Sequence, residues 1–343
     1  MSHPTVSIPQ FKDMIRHVVI RNNMPLMGWG DFGIGKSQGG AQAAAEENAF
    51  YADVRLGQYD SVDIRGIPSD DGRGRTQWLR ASTFPFVGND EFPDDQIILL
   101  ALDEINAAND AVSGVAYQLV QERRVGEHVL KPNVRILAMG NPETNRGVTN
   151  KQPMPLSNRF VHVTVQPSVN HVTRHFQAIG IAPIYIAFLQ WRKNLLHTFD
   201  AKDPQKAVAT PRTHEMAARL YMDDEMPEVI KLKAMGGAIG EGVAAEFWGF
   251  NKVWEKIQIL MPSILTDPSG ARVPTELDMR YAVTISISGE MNVTNASQYD
   301  VYLRRLDPEF TVLAWQLAVL REPKLHAVPA FIAFAERYRA MFS

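Results

Sequence analysis

The chain contains no cysteine among its 343 residues. That excludes disulfides, thiolate metal sites and cysteine nucleophiles, and it fits a reducing compartment. No stretch approaches the roughly 18 consecutive apolar residues of a membrane helix. The N-terminal residues MSHPTVSIPQFKDMIRHVV lack the unbroken apolar segment of a signal peptide. Charge excess is missing too: 35 basic and 38 acidic residues leave a net charge of −3. Neither the global basic excess of a nucleic-acid binder nor an acidic tail is present. There is no internal repeat and no low-complexity tract. These absences predict a soluble cytoplasmic protein with no membrane contact. What is present is ordinary: 45% apolar residues, enough for a sizeable core, in a length that suggests two domains.

Hydrophobic patterning divides the chain. Phe11 to Arg21 reads as an amphipathic helix, with Phe11, Met14, Ile15, Val18 and Val19 at helical spacing. Short apolar runs read as strands at Pro25–Trp29, Tyr51–Leu56, Ile97–Leu102, Val134–Met139 and Phe160–Val165. The run IILLAL has the continuous character of a strand buried on both faces. Helical stretches at Ser37–Asn48 and Asp110–Arg123 alternate with these strands, which implies an α/β fold with a mostly parallel sheet. Asp60 to Pro85 shows no reliable period and reads as loop or insertion. Beyond Val165 the pattern is mainly helical, with a Pro/Gly-rich break at Met261–Pro274 before a helical tail.

The chemistry begins at Gly30. Gly30, Asp31, Phe32, Gly33, Ile34, Gly35, Lys36 and Ser37, followed by Gln38, fit the phosphate-loop pattern G-x-x-x-x-G-K-[ST]. Glycines let backbone N–H groups turn inward onto phosphate oxygens, and the helix that follows presents its positive end. Lys36 would set a charge on the β- and γ-phosphates, and Ser37 would offer a hydroxyl to Mg²⁺. The motif sits between a strand and a helix, as the mechanism requires. A second apolar strand ends in Asp103 and Glu104. Asp103 suits the Mg²⁺ shell, directly or through water, and Glu104 suits polarisation of an attacking water. A third strand ends in Gly140, Asn141 and Pro142; the Asn141 amide can reach the γ-phosphate or the lytic water, although Gly-Asn-Pro by itself is a turn. Arg159 precedes the last strand, and Arg212 stands at a helix start after Thr210 and Pro211. Taken alone, either arginine is an ordinary surface group.

These elements, in this order, resemble the AAA+ ATPases and, within them, the MoxR-like branch. The stretch from Asp103 through Asn109 to Arg123 is similar to the branch's Walker B strand and following helix. Asp60–Gly66 resembles the opening of its helix-2 insertion. Gly140–Pro142 through Leu156–Phe160 resembles the sensor-1 strand end, the following loop and the arginine finger. Thr210–Arg212 resembles the sensor-2 motif. The resemblance covers Val6 to Met222, weakens over Gly240–Pro268 and stops there. It departs from the family at Asp31 and Phe32, where small residues are usual, and at Ser157–Asn158 before the finger.

The resemblance implies an AAA+ P-loop αβα sandwich at residues 1–167, with a helix-2 insertion at about 60–86. A helical lid at 168–262 and a helical C-terminal extension at 263–343 would follow. It implies ATP and Mg²⁺ as cofactors and a homo-oligomeric ring, usually a hexamer. Arg159 would then act in trans on the neighbour's γ-phosphate, with Arg146 as a second candidate, and Arg212 would act from the lid. Relatives of this branch remodel or activate protein partners, often ones with a von Willebrand factor A domain. A DNA-acting AAA+ motor or clamp-loader-like ATPase, and a scaffold gated by nucleotide, are the alternatives. The insertion joins Arg65, Arg73, Arg75 and Arg80 to four aspartates and Trp78, so a partner-contacting loop is preferred to a nucleic-acid grip. His171 and His175 could share a helix face as metal ligands do, but partly exposed helix histidines are the simpler reading. The aromatic stripe Phe247, Trp248, Phe250 and Trp254 reads as packing.

Overall fold

A computed structural model describes residues 3–141, 158–198 and 207–339. They fall into two compact units, one up to Ser168 and one from Val169 onward.

The first unit carries the sheet. In chain order the strands are β1 (Thr5–Val6), β2 (Leu26–Trp29), β3 (Phe50–Arg55), β4 (Ile67–Asp70) and β5 (Thr76–Leu79). They continue with β6 (Ile98–Asp103), β7 (Arg124–Val125), β8 (His128–Val129), β9 (Val134–Gly140) and β10 (Val161–Val165). Six form one sheet in the order β1-β10-β2-β9-β6-β3, every pairing parallel. Its helices are α1 (Ile8–Met14, which runs on in π geometry over Ile15–Arg21), α2 (Lys36–Glu46), α3 (Ser61–Arg65) and α4 (Asp110–Glu122).

The continuous apolar run at β6 explains the layering. Neighbouring side chains on a strand point to opposite faces. Ile98, Leu100 and Leu102 join a core with Val112, Val115, Ala116 and Leu119 of α4. Leu99 and Ala101 join a second core with Phe11, Ile15 and Val19 on one side and Ala43 and Ala44 of α2. Helices therefore cover both faces, giving the αβα sandwich expected of the fold class. Because every connection is a crossover, β2, β6 and β9 all end at the same edge of the sheet.

The insertion has more structure than its sequence suggests. It forms α3 and the antiparallel hairpin β4–β5, with Ile67 opposite Leu79 and Asp70 opposite Thr76. The turn is held by aspartate side chains: Asp70 accepts from the Gly72 N–H at 2.7 Å, and Asp71 from Arg73 at 2.8 Å and Arg75 at 3.1 Å. All four β5 residues are exposed. A strand with no buried face has no apolar alternation to display, which is why the period is hidden.

The second unit is helical and shares one core, which runs from Tyr185, Phe188 and Phe247 to Trp315 and Phe334. Phe247 and Phe250 are buried in it against Tyr185, Phe188 and Trp191. The helix Glu241–Thr266 runs through Pro262, so the break begins only at Asp267. Proline in a helix forfeits one backbone bond and strains one turn, and here the helix resumes: the Asp267 N–H reaches the Ser263 carbonyl at 2.9 Å. Among the described residues no helix is long and apolar enough to cross a membrane.

Candidate functional site

The site is built at the edge where β2, β6 and β9 end. β2 leads into the loop Gly30–Gly35, and the loop into α2. A Cβ on Gly30 would stand 2.7 Å from the Val165 carbonyl oxygen and from Ile34 Cδ1, so the loop can lie this close to β10 only with glycine there. Gly35 caps α2 at φ +99°, in the left-handed region, and no side-chain oxygen caps the helix. The first amides of α2 are thus left to a ligand rather than to a capping residue. Ile34 is buried among Phe11 and Val165 and anchors the loop to the core. Phe32 and Gln38 are exposed.

Lys36 is 7% exposed, the one lysine of the loop and a buried cation. Its ammonium donates to the carbonyls of Gly30 at 2.6 Å and Asp31 at 2.8 Å, and to Asn141 Oδ1 at 3.2 Å. A buried charge needs such partners, since desolvation is costly without them. Ser37 Oγ donates to Asp103 Oδ2 at 2.5 Å. The other Asp103 oxygen accepts from the Glu104 N–H at 2.9 Å. Glu104 itself has φ +55°, a left-handed conformation that costs a non-glycine residue about 1–2 kcal/mol. Such strain persists only where the surroundings enforce it, and it clusters at functional sites. Asn141, at the end of β9, lies between the phosphate loop and the Glu104 turn.

The structure thus brings the side chains of Lys36, Ser37, Asp103 and Asn141 together and ties the Glu104 backbone to Asp103, with the Glu104 carboxylate beside Gly57. Arg159 stands exposed in the turn before β10. Arg212 is exposed at the second position of the helix Pro211–Tyr221, in the other compact unit, where Thr210 and Thr213 cap the helix reciprocally. Pro142, Arg146 and the residues before Asn158 lie outside the described residues. His175 lies 3.8 Å from Glu215 within the helical unit.

Two participants escape the sequence reading. Tyr51 donates from its hydroxyl to the Ser37 carbonyl at 3.2 Å, and burial with the Asp53 and Asp103 carboxylates pushes its phenol above the usual range. Burial, and then Asp103, also raise Asp53. Asn106 bonds to the backbone of Asn141. Tyr51 lies within β3 and Asn106 within the stretch DEIN, and neither spacing reveals its partner.

No protein-family model matches this chain, and no curated protein matches it. Solved structures resemble it in fold. Brucella abortus NtrX in complex with ATP is 14% identical, covers 98% of this chain and 67% of its own, and has a TM-score of 0.41. The same protein with ADP gives 14%, 98%, 68% and 0.40. The Thermotoga maritima RuvB Holliday junction branch migration motor gives 14%, 87%, 86% and 0.34. At such identities and scores these likenesses bear on neither activity nor partners.

Proposed function

We propose that this chain is an AAA+ ATPase of the MoxR-like kind. It hydrolyses ATP with Mg²⁺ at the subunit interfaces of a hexameric homo-oligomeric ring. It couples lid movement to remodelling or activation of a protein partner, of the kind that carries a von Willebrand factor A domain. The observation that carries this reading is the meeting of Lys36, Ser37, Asp103 and Asn141 from three parallel strand ends at one sheet edge.

The residues fit the cofactors. A glycine loop, an uncapped helix start and a buried ammonium suit polyphosphate. A hydroxyl and a carboxylate at 2.5 Å form a hard-oxygen pair that suits Mg²⁺, which usually takes one or two protein ligands and completes its shell with phosphate and water. Bound Mg-ATP supplies the phosphoryl group and the positive charge that offsets its oxygens. Lys36 holds the phosphates, and Ser37 and Asp103 hold the cation. The Glu104 carboxylate takes the proton of the attacking water, which Asn141 orients. Arg159 stabilises transition-state charge on the next subunit, and Arg212 links nucleotide state to the helical unit.

The experiment is Mg-dependent ATP turnover by the purified chain. Lys36→Ala should abolish nucleotide binding. Glu104→Gln should bind ATP but turn it over about 10²–10⁴-fold more slowly, the usual worth of a general base. Turnover unaffected by both variants refutes the site. An ATP-dependent pull-down with Glu104→Gln then separates the partner classes: a protein supports remodelling, and nuclease-sensitive nucleic acid alone supports a DNA motor.

A further inference from the structure

We propose that Asn106 is a positioning residue that sets the spacing between Glu104 and Asn141, so that hydrolysis depends on it while nucleotide binding does not. The proposal rests on the ATPase reading above. Asn106 is 3% exposed, in the turn directly after Glu104. Its Nδ2 donates to the Asn141 carbonyl at 2.6 Å, and its Oδ1 accepts from the Asn141 N–H at 3.2 Å. One planar amide thus pairs with both backbone groups of a single residue, much as a neighbouring strand would.

Two further features depend on the same clamp. The Ile105 N–H reaches the Met139 carbonyl at 3.1 Å and ties the turn to β9. At Gly140 a Cβ would stand 2.7 Å from Asn106 Oδ1 and 2.9 Å from Met27 Cε, so β9 is bare where the amide crosses it. The chemistry selects asparagine. Aspartate keeps the acceptor but sets an anion against the Asn141 carbonyl. Leucine offers neither group. Glutamine is one methylene too long for the space over Gly140. Since Asn141 accepts from Lys36 and Glu104 adopts a left-handed backbone in the clamped turn, the amide fixes two groups that act on one water.

The test uses the full chain and compares wild type, Asn106→Ala, Asn106→Asp, Asn141→Ala and the Asn106→Ala/Asn141→Ala double variant. ATP affinity, kcat and thermal midpoint are measured for each. A misplacement of about 1 Å can cost 10²-fold in rate, so kcat should fall about 10–100-fold in both Asn106 variants. ATP affinity should stay within about threefold, since binding and turnover report different interactions. If Asn106 acts through Asn141, the double variant should be no slower than the slower single variant. Gly140→Ala presses on the clamp from the other side and should reproduce the kcat loss, which guards against one variant that merely folds poorly. Multiplicative losses in the double variant, unchanged kcat, or affinity lost in parallel with rate each overturn the proposal. A wild-type chain that binds ATP without hydrolysing it overturns the ATPase reading first and this inference with it.

Discussion

The helix Pro211–Tyr221 should become unstable in mild acid, and the cause should be one histidine. His214 is fully buried, as is Tyr185 beside it. Its Nε2 lies 2.9 Å from the Leu195 carbonyl, and its Nδ1 lies 2.9 Å from the Tyr185 hydroxyl. A carbonyl can only accept, so Nε2 carries the proton and Nδ1 accepts from the phenol. A second proton would set a cation in apolar surroundings and turn Nδ1 into a donor, leaving the buried phenol without an acceptor for its own proton. Burial accordingly holds the imidazole down to about 4 from its ordinary 6.5, against a smaller opposing pull from the Leu195 carbonyl. The unfolded chain therefore binds a proton that the folded chain refuses. Stability is full above the unfolded value and is lost as pH falls from 6.5 towards 4. Between about pH 8 and about pH 4.5, those two values correspond to a loss of about 2.5 kcal/mol. His214→Gln retains a donor and an acceptor but does not titrate. Urea unfolding of both proteins at the two pH values, followed by far-ultraviolet circular dichroism, isolates this share from all other groups. Wild type should lose about 2.5 kcal/mol more than the variant. Equal losses would falsify the assignment of a neutral, refusing histidine.

The remaining predictions concern the loop and the ring. Gly30→Ala forces a methyl to within 2.7 Å of the Val165 carbonyl, so thermal unfolding should show a loss of about 1–3 kcal/mol. ATP titration of that variant should show binding lost beyond what its stability explains, because the loop backbone must shift. Arg159→Ala should bind ATP normally and hydrolyse it about 10³-fold more slowly or worse. If the arginine works in trans, mixing dead Arg159→Ala with dead Glu104→Gln should restore turnover, because some interfaces then pair an intact Glu104 with an intact Arg159. No recovery in verified mixed rings rules out the trans role of Arg159.

The centre of the sheet was legible because its strands are buried on both faces. A parallel strand such as Ile98–Asp103 has no wet side, so its sequence is a continuous apolar run that few other structures need. The strands at 25–29 and 134–139 appear within a residue or two for the same reason, whereas those at 51–56 and 160–165 show through alternation, with Ala52 and Val54 or Val163 and Val165 buried between more exposed neighbours. The hairpin of the insertion was hidden for the opposite reason, since exposed strands impose no pattern. The π geometry at Ile15–Arg21 was hidden too: Phe11, Ile15 and Val19 are four apart, a spacing that an α-helix and a slightly wider helix both satisfy.

The site divides along a similar line. The phosphate loop could be read because its parts are contiguous: the turn, the cation and the helix start all fall between Gly30 and Ser37, and local geometry demands those residue types. Asp103, Glu104 and Asn141 could be read because each ends a strand, and parallel strands deliver their ends to one edge. Asn106 could not, because its partner lies 35 residues away and the partner atoms are backbone, which any residue at position 141 would supply. A side chain whose task is to hold another residue's main chain leaves no pairwise signature in one sequence. The nearest thing to a trace is Gly140, whose missing Cβ makes room for it. Residues that touch a ligand are therefore constrained by chemistry that a motif can state, whereas residues that place them are constrained by shape, which only the assembled sheet edge displays.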